Sequence, residues 1–123
     1  MRGLLSMILA LSLFGCSATT TTQGDPAGTF ALSADQADAV ILAAIRSGWP
    51  DKSVQPLGVG RIGYRFRVWW GIDHDDVSAE AIPEPDGHYA FRVDNVGTAP
   101  ASGSPARERL IGLILAEARR VAR

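Results

Sequence analysis

Cysteine, histidine and long apolar runs are scarce in this chain, and each scarcity excludes something. The single cysteine, Cys16, rules out an internal disulfide, so a domain here has to be held by its packed core. His74 and His88 are the only imidazoles available for acid–base or metal chemistry. Neither the G-x-S-x-G nucleophile elbow nor the H-E-x-x-H zinc helix occurs. A surplus of charge is missing too. Twelve Lys and Arg oppose 13 Asp and Glu, a formal net charge of −1, so no global attraction to nucleic acid or anionic lipid is expected. No apolar stretch reaches the ~20 residues of a membrane-spanning helix. The rest of the composition, 46% apolar and 20% charged in 123 residues, fits one small globular domain at most.

What is present begins with the N-terminal stretch "MRGLLSMILALSLFGC". Arg2 supplies a positive flank, and residues 4–14 form an apolar run of about eleven residues, the dimensions of a targeting segment. A buried N-terminal helix is the alternative, but a polar low-complexity tract follows the cysteine at once. Leu13-Phe14-Gly15-Cys16 resembles the lipobox of bacterial lipoproteins, with Leu at −3, Gly at −1 and Cys at +1. The resemblance implies cleavage of residues 1–15 by signal peptidase II and a thioether-linked diacylglycerol on Cys16, commonly with an N-acyl chain. Two or three acyl chains anchor a protein stably, where one gives only reversible binding. Ser17 in place of the aspartate that marks inner-membrane retention implies an outer-membrane site facing the periplasm, if the organism has an outer membrane. Residues 16–28 then read as lipidated cysteine and Thr-rich tether, without a large apolar side chain to bury. A flexible chain of that size spans roughly 20 Å.

Residues 29–123 carry the domain. In "LSADQADAVILAAIRSGWP", Ser33 and Gln36 make a capping box, and Val40, Ile41, Ala44 and Ile45 recur at helical spacing before Gly48 and Pro50. A second helix follows Ser104 and Pro105, with an apolar stripe from Leu110 through Val121 and Arg119, Arg120 and Arg123 at its negative end. Between them the period is two. Ile62, Tyr64, Phe66, Val68, Trp70 and Ile72 share one face, and Arg61, Arg65, Arg67 and Trp69 the other. "DHDD" at 73–76 reads as a turn, "VSAEAIP" as a second strand, "EPDG" at 84–87 as a hairpin and "HYAFRVDNV" as a third strand. The expected fold is α+β, a two-layer α-β-β-β-α sandwich with a three-stranded antiparallel meander covered on one face by both helices.

Two motifs invite chemistry. Gly58, Gly60 and Gly63 complete a G-x-G-x-x-G, but a dinucleotide site needs a helix behind the glycines, and the period-two residues here are strand. The glycines are expected to bend a long first strand, with no nucleotide and no cofactor. Asp73, His74, Asp75 and Asp76 offer oxygen and nitrogen ligands, yet one turn supplies only part of a calcium or zinc shell. A solvated turn is the simpler expectation.

The face away from the helices is the candidate partner surface, formed by Arg65, Arg67, Trp69, Glu80, Ile82 and Arg92. The expected register sets Trp69 opposite Glu80, Arg67 opposite Ile82, Arg65 near Glu84 and Arg92 near Ser78. Trp and Arg are enriched in interface hot spots. Cross-strand Arg–Glu pairs that merely keep a one-sided sheet soluble would look the same. Trp70 is expected in the core beside Phe66 and Tyr64. The carboxylates argue against nucleic acid. The function expected is a lipid-anchored, non-enzymatic envelope protein that binds a protein or envelope polymer through the open sheet face. The alternatives are an envelope enzyme or divalent-metal protein centred on residues 73–76, or a structural or stress lipoprotein.

Overall fold

A computed structural model describes residues 28–97 and 105–122. The lipobox, most of the tether, Ser104 and Arg123 lie outside the described residues. The elements are β1 (Thr29–Ala31), α1 (Ala34–Gly48), β2 (Gln55–Pro56), β3 (Ile62–Trp70), β4 (Asp73–Glu84), β5 (His88–Gly97) and α2 (Pro105–Val121). The fold is α+β, with an open antiparallel sheet in the order β1-β5-β4-β3-β2 and two helices packed on each other and on the sheet. The expected meander is present as β3, β4 and β5. Two edge strands widen it to five, each too short to show a period.

Helix α1 starts where its cap chemistry places it. The Ser33 hydroxyl accepts from the Gln36 amide at 3.1 Å, and the Gln36 side chain accepts from the Ser33 amide at 2.9 Å. Gly48 ends the helix and also lets α2 approach, because a β-carbon there would stand 2.8 Å from Leu113 Cδ1. Trp49 then folds under the sheet, its ring 4.9 Å from that of Phe66. In α2, Ala106, Leu110, Ile114 and Ala118 are buried at intervals of one turn. Val40, Ile41, Ile45, Phe91, Leu110 and Ile114 are each at most 1% exposed, and burial of one large apolar side chain stabilises by roughly 1.5–3 kcal/mol.

The β3–β4 hairpin corrects the expected register. Its closing pair is Trp70 with Asp73, so the turn is Gly71-Ile72, and "DHDD" opens β4 instead of turning. Gly71 has a φ of 66°, the positive value that a two-residue hairpin loop demands at its first position. Backbone permission at Gly71 outweighs the polar composition that follows. Trp69 therefore faces His74, Arg67 faces Asp76, Arg65 faces Ser78 and Glu80 faces Arg92. Each expected pair slips by an even number of residues, so every side chain keeps its expected face.

Position along the strand matters as much as face. Trp70, expected in the core, is 39% exposed, and Ile72 at the hairpin tip is 94% exposed. Both lie past the end of the helix layer, while Phe66 and Val68 are buried beneath it. Tyr64 is half-buried and donates its hydroxyl to Asp38 Oδ1 at 2.9 Å. Burial and the Asp38 carboxylate both push that phenol's pKa up.

The glycine motif also resolves differently from expectation. Gly58 and Gly60, at φ 146° and 77°, turn β2 back onto β3 and do not bend one long strand. Gly63 lies within β3, where a β-carbon would collide with the carbonyl oxygen of Ala79.

Candidate binding face

The alternation of β3, β4 and β5 places Arg65, Arg67, Trp69, His74, Asp76, Ser78, Glu80, Arg92, Asp94 and Val96 on the side opposite the helices. No element covers this side among the described residues. Its ion pairs form two groups. In one, Glu80 accepts from Arg61 Nε at 2.9 Å and Nη2 at 2.8 Å, and from Arg92 Nη2 at 2.9 Å. In the other, Asp76 accepts from Arg67 Nε at 2.7 Å and Nη2 at 3.1 Å. Both are forked guanidinium–carboxylate contacts, which fix side-chain direction more firmly than a point charge does.

The arginines set the protonation of these carboxylates. Hydrogen bonding from Arg61, with the charges of Arg61 and Arg92 behind it, holds Glu80 below the usual carboxylate range against the opposing effect of burial. Arg67 does the same for Asp76. Both carboxylates are therefore ionised at neutral pH, and the arginine heads stay fixed on the sheet.

Arg67 also places its guanidinium 5.6 Å from the centre of the Trp69 ring, while the His74 ring lies 5.2 Å from Trp69 on the other strand. Trp69 is 54% exposed but is held on two sides. Between this cluster and β2 runs an open groove of about 940 Å³, lined by Lys52, Gln55, Arg65, Arg67, Trp69 and Val96 among others. Leu57 lies over Gly63 at one end of the groove, and the small Ser78 stands opposite Arg65. Arg65 reaches Gln55 Oε1 at 3.4 Å. Lys52 and Arg65 have no carboxylate within ion-pair distance among the described residues. The groove can thus offer an anion two cations outside any direct ion pair, Arg65 being within the field of Asp76, beside an aromatic face.

The six residues expected on the partner surface divide. Arg65, Arg67 and Trp69 line the groove, Glu80 and Arg92 close the ion network beside it, and Ile82 sits farther along, opposite Ala90. Sequence reasoning missed Lys52 and Val96. Lys52 arrives from the connection between α1 and β2, and a two-residue strand carries no signal that would have put it here.

The candidate metal residues do not converge. In an extended strand Asp73 and Asp75 leave one face and His74 and Asp76 the other. Among the described residues no group of three His, Cys, Asp or Glu is placed to hold a metal ion. Asp75, expected to be solvated, is completely buried and accepts from Asn95 Nδ2 at 3.1 Å. Its second oxygen has no hydrogen-bond partner among the described residues. His88 lies at the far end of the sheet, its Nδ1 3.1 Å from the Asp86 carbonyl oxygen. No helix among the described residues is long and apolar enough to cross a membrane. No family model, curated protein or solved structure matches this chain.

Proposed function

We propose that this is a small lipid-anchored, non-enzymatic protein of the cell envelope that binds a protein or envelope polymer through its open sheet face. Where the organism has an outer membrane, that membrane is the proposed site, with the domain facing the periplasm. The observation that carries the binding reading is the groove, where Arg67 and Trp69 are held in place beside Lys52 and Arg65, neither of which makes a direct ion pair among the described residues. A sheet face kept polar only for solubility has no need to orient a tryptophan or to leave cations unpaired beside it. The anchoring half of the reading rests on Leu13-Phe14-Gly15-Cys16 and the polar tract behind it. No feature of the alternating 73–76 stretch favours the metal or enzyme alternative.

Arg67→Ala with Trp69→Ala tests the binding half. The double variant is expected to fold and to reach the membrane, yet to fail in complementing a deletion strain. Full complementation at native expression would return the open face to a solvated surface. Intact-mass analysis tests the anchor separately. An unmodified Cys16 in protein taken from native membranes would remove the localisation argument.

A further inference from the structure

The sheet edge beside the groove is unfinished. Strand β2 pairs with β3 only at Gln55–Arg65 and Pro56–Tyr64, so β3 has no neighbour on that side along residues 66–70. The direction of its peptide groups follows from two observations. Leu57 N–H donates to the Gly63 carbonyl across the β2 edge, and the β3–β4 hairpin closes at Trp70–Asp73. In an antiparallel ladder both backbone groups of a residue point to the same neighbour. The odd-numbered residues of β3 therefore turn their N–H and C=O toward the β2 side, and those of Arg67 and Trp69 reach open space beyond the end of β2.

An unpaired edge is a template for another strand unless it is blunted by charge, proline or cover. Here β2 ends its coverage while β3 continues, and the two sides of the open edge differ. On the outer side stand Arg67, Trp69 and the cations Lys52 and Arg65, neither in a direct ion pair among the described residues. On the inner side stands the half-exposed ring of Trp70, with buried Val68 behind it.

We infer that the free edge of β3 at Arg67 and Trp69 accepts an extended acidic peptide as an added antiparallel strand. Its acidic side chains would lie over Lys52 and Arg65 in the groove, and its alternate apolar side chains over Trp70. This rests on the open-face reading above and names the partner's chemistry. Main-chain hydrogen bonds supply the attachment, and the alternation of side chains supplies the selectivity. The same geometry decides which peptide amides matter. A residue opposite Arg67 in an antiparallel pair shares its face and bonds directly to it. The acidic residues of the peptide are therefore the ones whose N–H groups reach β3.

The probe is a short, end-blocked peptide alternating glutamate and valine, titrated against the full-length chain in detergent by fluorescence anisotropy. Saturable binding is expected. N-methylation of the glutamate amides should abolish it, and N-methylation of the valine amides should leave it. Lys52→Glu with Arg65→Glu should weaken it roughly tenfold or more, with an unchanged circular dichroism spectrum. No binding of the parent peptide, equal binding of both methylated forms, or loss on the valine set alone would overturn the inference. So would self-association of the chain that the peptide displaces, since the edge would then belong to a second copy. If the inference fails while Arg67→Ala with Trp69→Ala still abolishes complementation, the open face binds another occupant. If both fail, the open-face reading falls with it.

Discussion

The same three strands present two surfaces with opposite logic. Toward the helices, Val77, Ala79, Ala81, Phe91 and Val93 are sealed, each at most 3% exposed, and the only fully buried charged side chain among the described residues is Asp75, next to them on β4 and hydrogen-bonded to Asn95. Toward the open side, the intervening residues Asp76, Glu80, Arg92 and Asp94 are charged; Arg67 of β3 pairs with Asp76, Arg61 of its preceding loop pairs with Glu80, and Arg92 itself pairs with Glu80 and Asp94. The inner surface is specified by volume and the outer by direction. Close packing punishes any change of size inside, whereas forked ion pairs and a propped tryptophan fix where the outer groups point at little cost in stability. The two tryptophans at the end of β3 sit on the boundary. Trp70 belongs to the inner side by alternation but projects past the helices, and Trp69 belongs to the outer side.

The sharpest way to break this contrast is to truncate one residue on each surface. Phe91→Ala removes a completely buried ring that packs against Phe30, and it should cost roughly 3–5 kcal/mol, enough to unfold a domain this small. Chemical denaturation would show it as a lost or nearly lost folded baseline. A folded Phe91→Ala protein with near wild-type stability would mean that the inner surface is not the core.

Trp70→Ala comes next, and the structure lowers the loss expected of it. Because the ring is 39% exposed, truncation should cost about 1–2 kcal/mol instead of the loss a core tryptophan would give. Trp69→Ala should cost less again, within about 1 kcal/mol. If Trp69→Ala proves the more damaging of the two, the faces of β3 are exchanged.

The smallest effect expected concerns acid. The folded pKa values of Glu80 and Asp76 lie below the ordinary range because of Arg61 and Arg67. A carboxyl with a lowered folded pKa contributes stability that is complete above its unfolded value, about 4, and is lost as pH falls through the folded value. The melting temperature should therefore be level from about pH 5 to 8 and decline below about pH 4. In Glu80→Gln the decline should be shallower. An identical acid limb in the variant would show that the Glu80 cluster contributes nothing to it.

Much of the face was legible and much of its arrangement was not. Alternation placed Arg65, Arg67, Trp69, Glu80 and Arg92 on the open side without any knowledge of register, because a strand's period is two and the register errors were even. The register itself was hidden. Four polar residues at 73–76 outweigh a lone Gly71 in any reading of turn composition, yet only the glycine supplies the positive φ that closes the hairpin. β1 and β2, three and two residues long, are too short for a period to appear, and Lys52 was lost with β2. Trp70 and Asp75 failed for different reasons. Alternation gave Trp70 its face but not where along the strand the helix layer stops, whereas Asp75 was hidden because residues 73–76 read as a turn and not as the start of β4.

The most direct test of the binding surface compares its centre with the opposite side of the domain. A photo-crosslinking residue replacing Trp69 in native membranes should form a discrete adduct, and the same residue replacing the exposed Ala43 on α1 should not. Lys52→Glu with Arg65→Glu should remove the Trp69-site adduct while the protein stays folded and membrane-bound. Equal adducts from both positions, or none from position 69, would contradict the account.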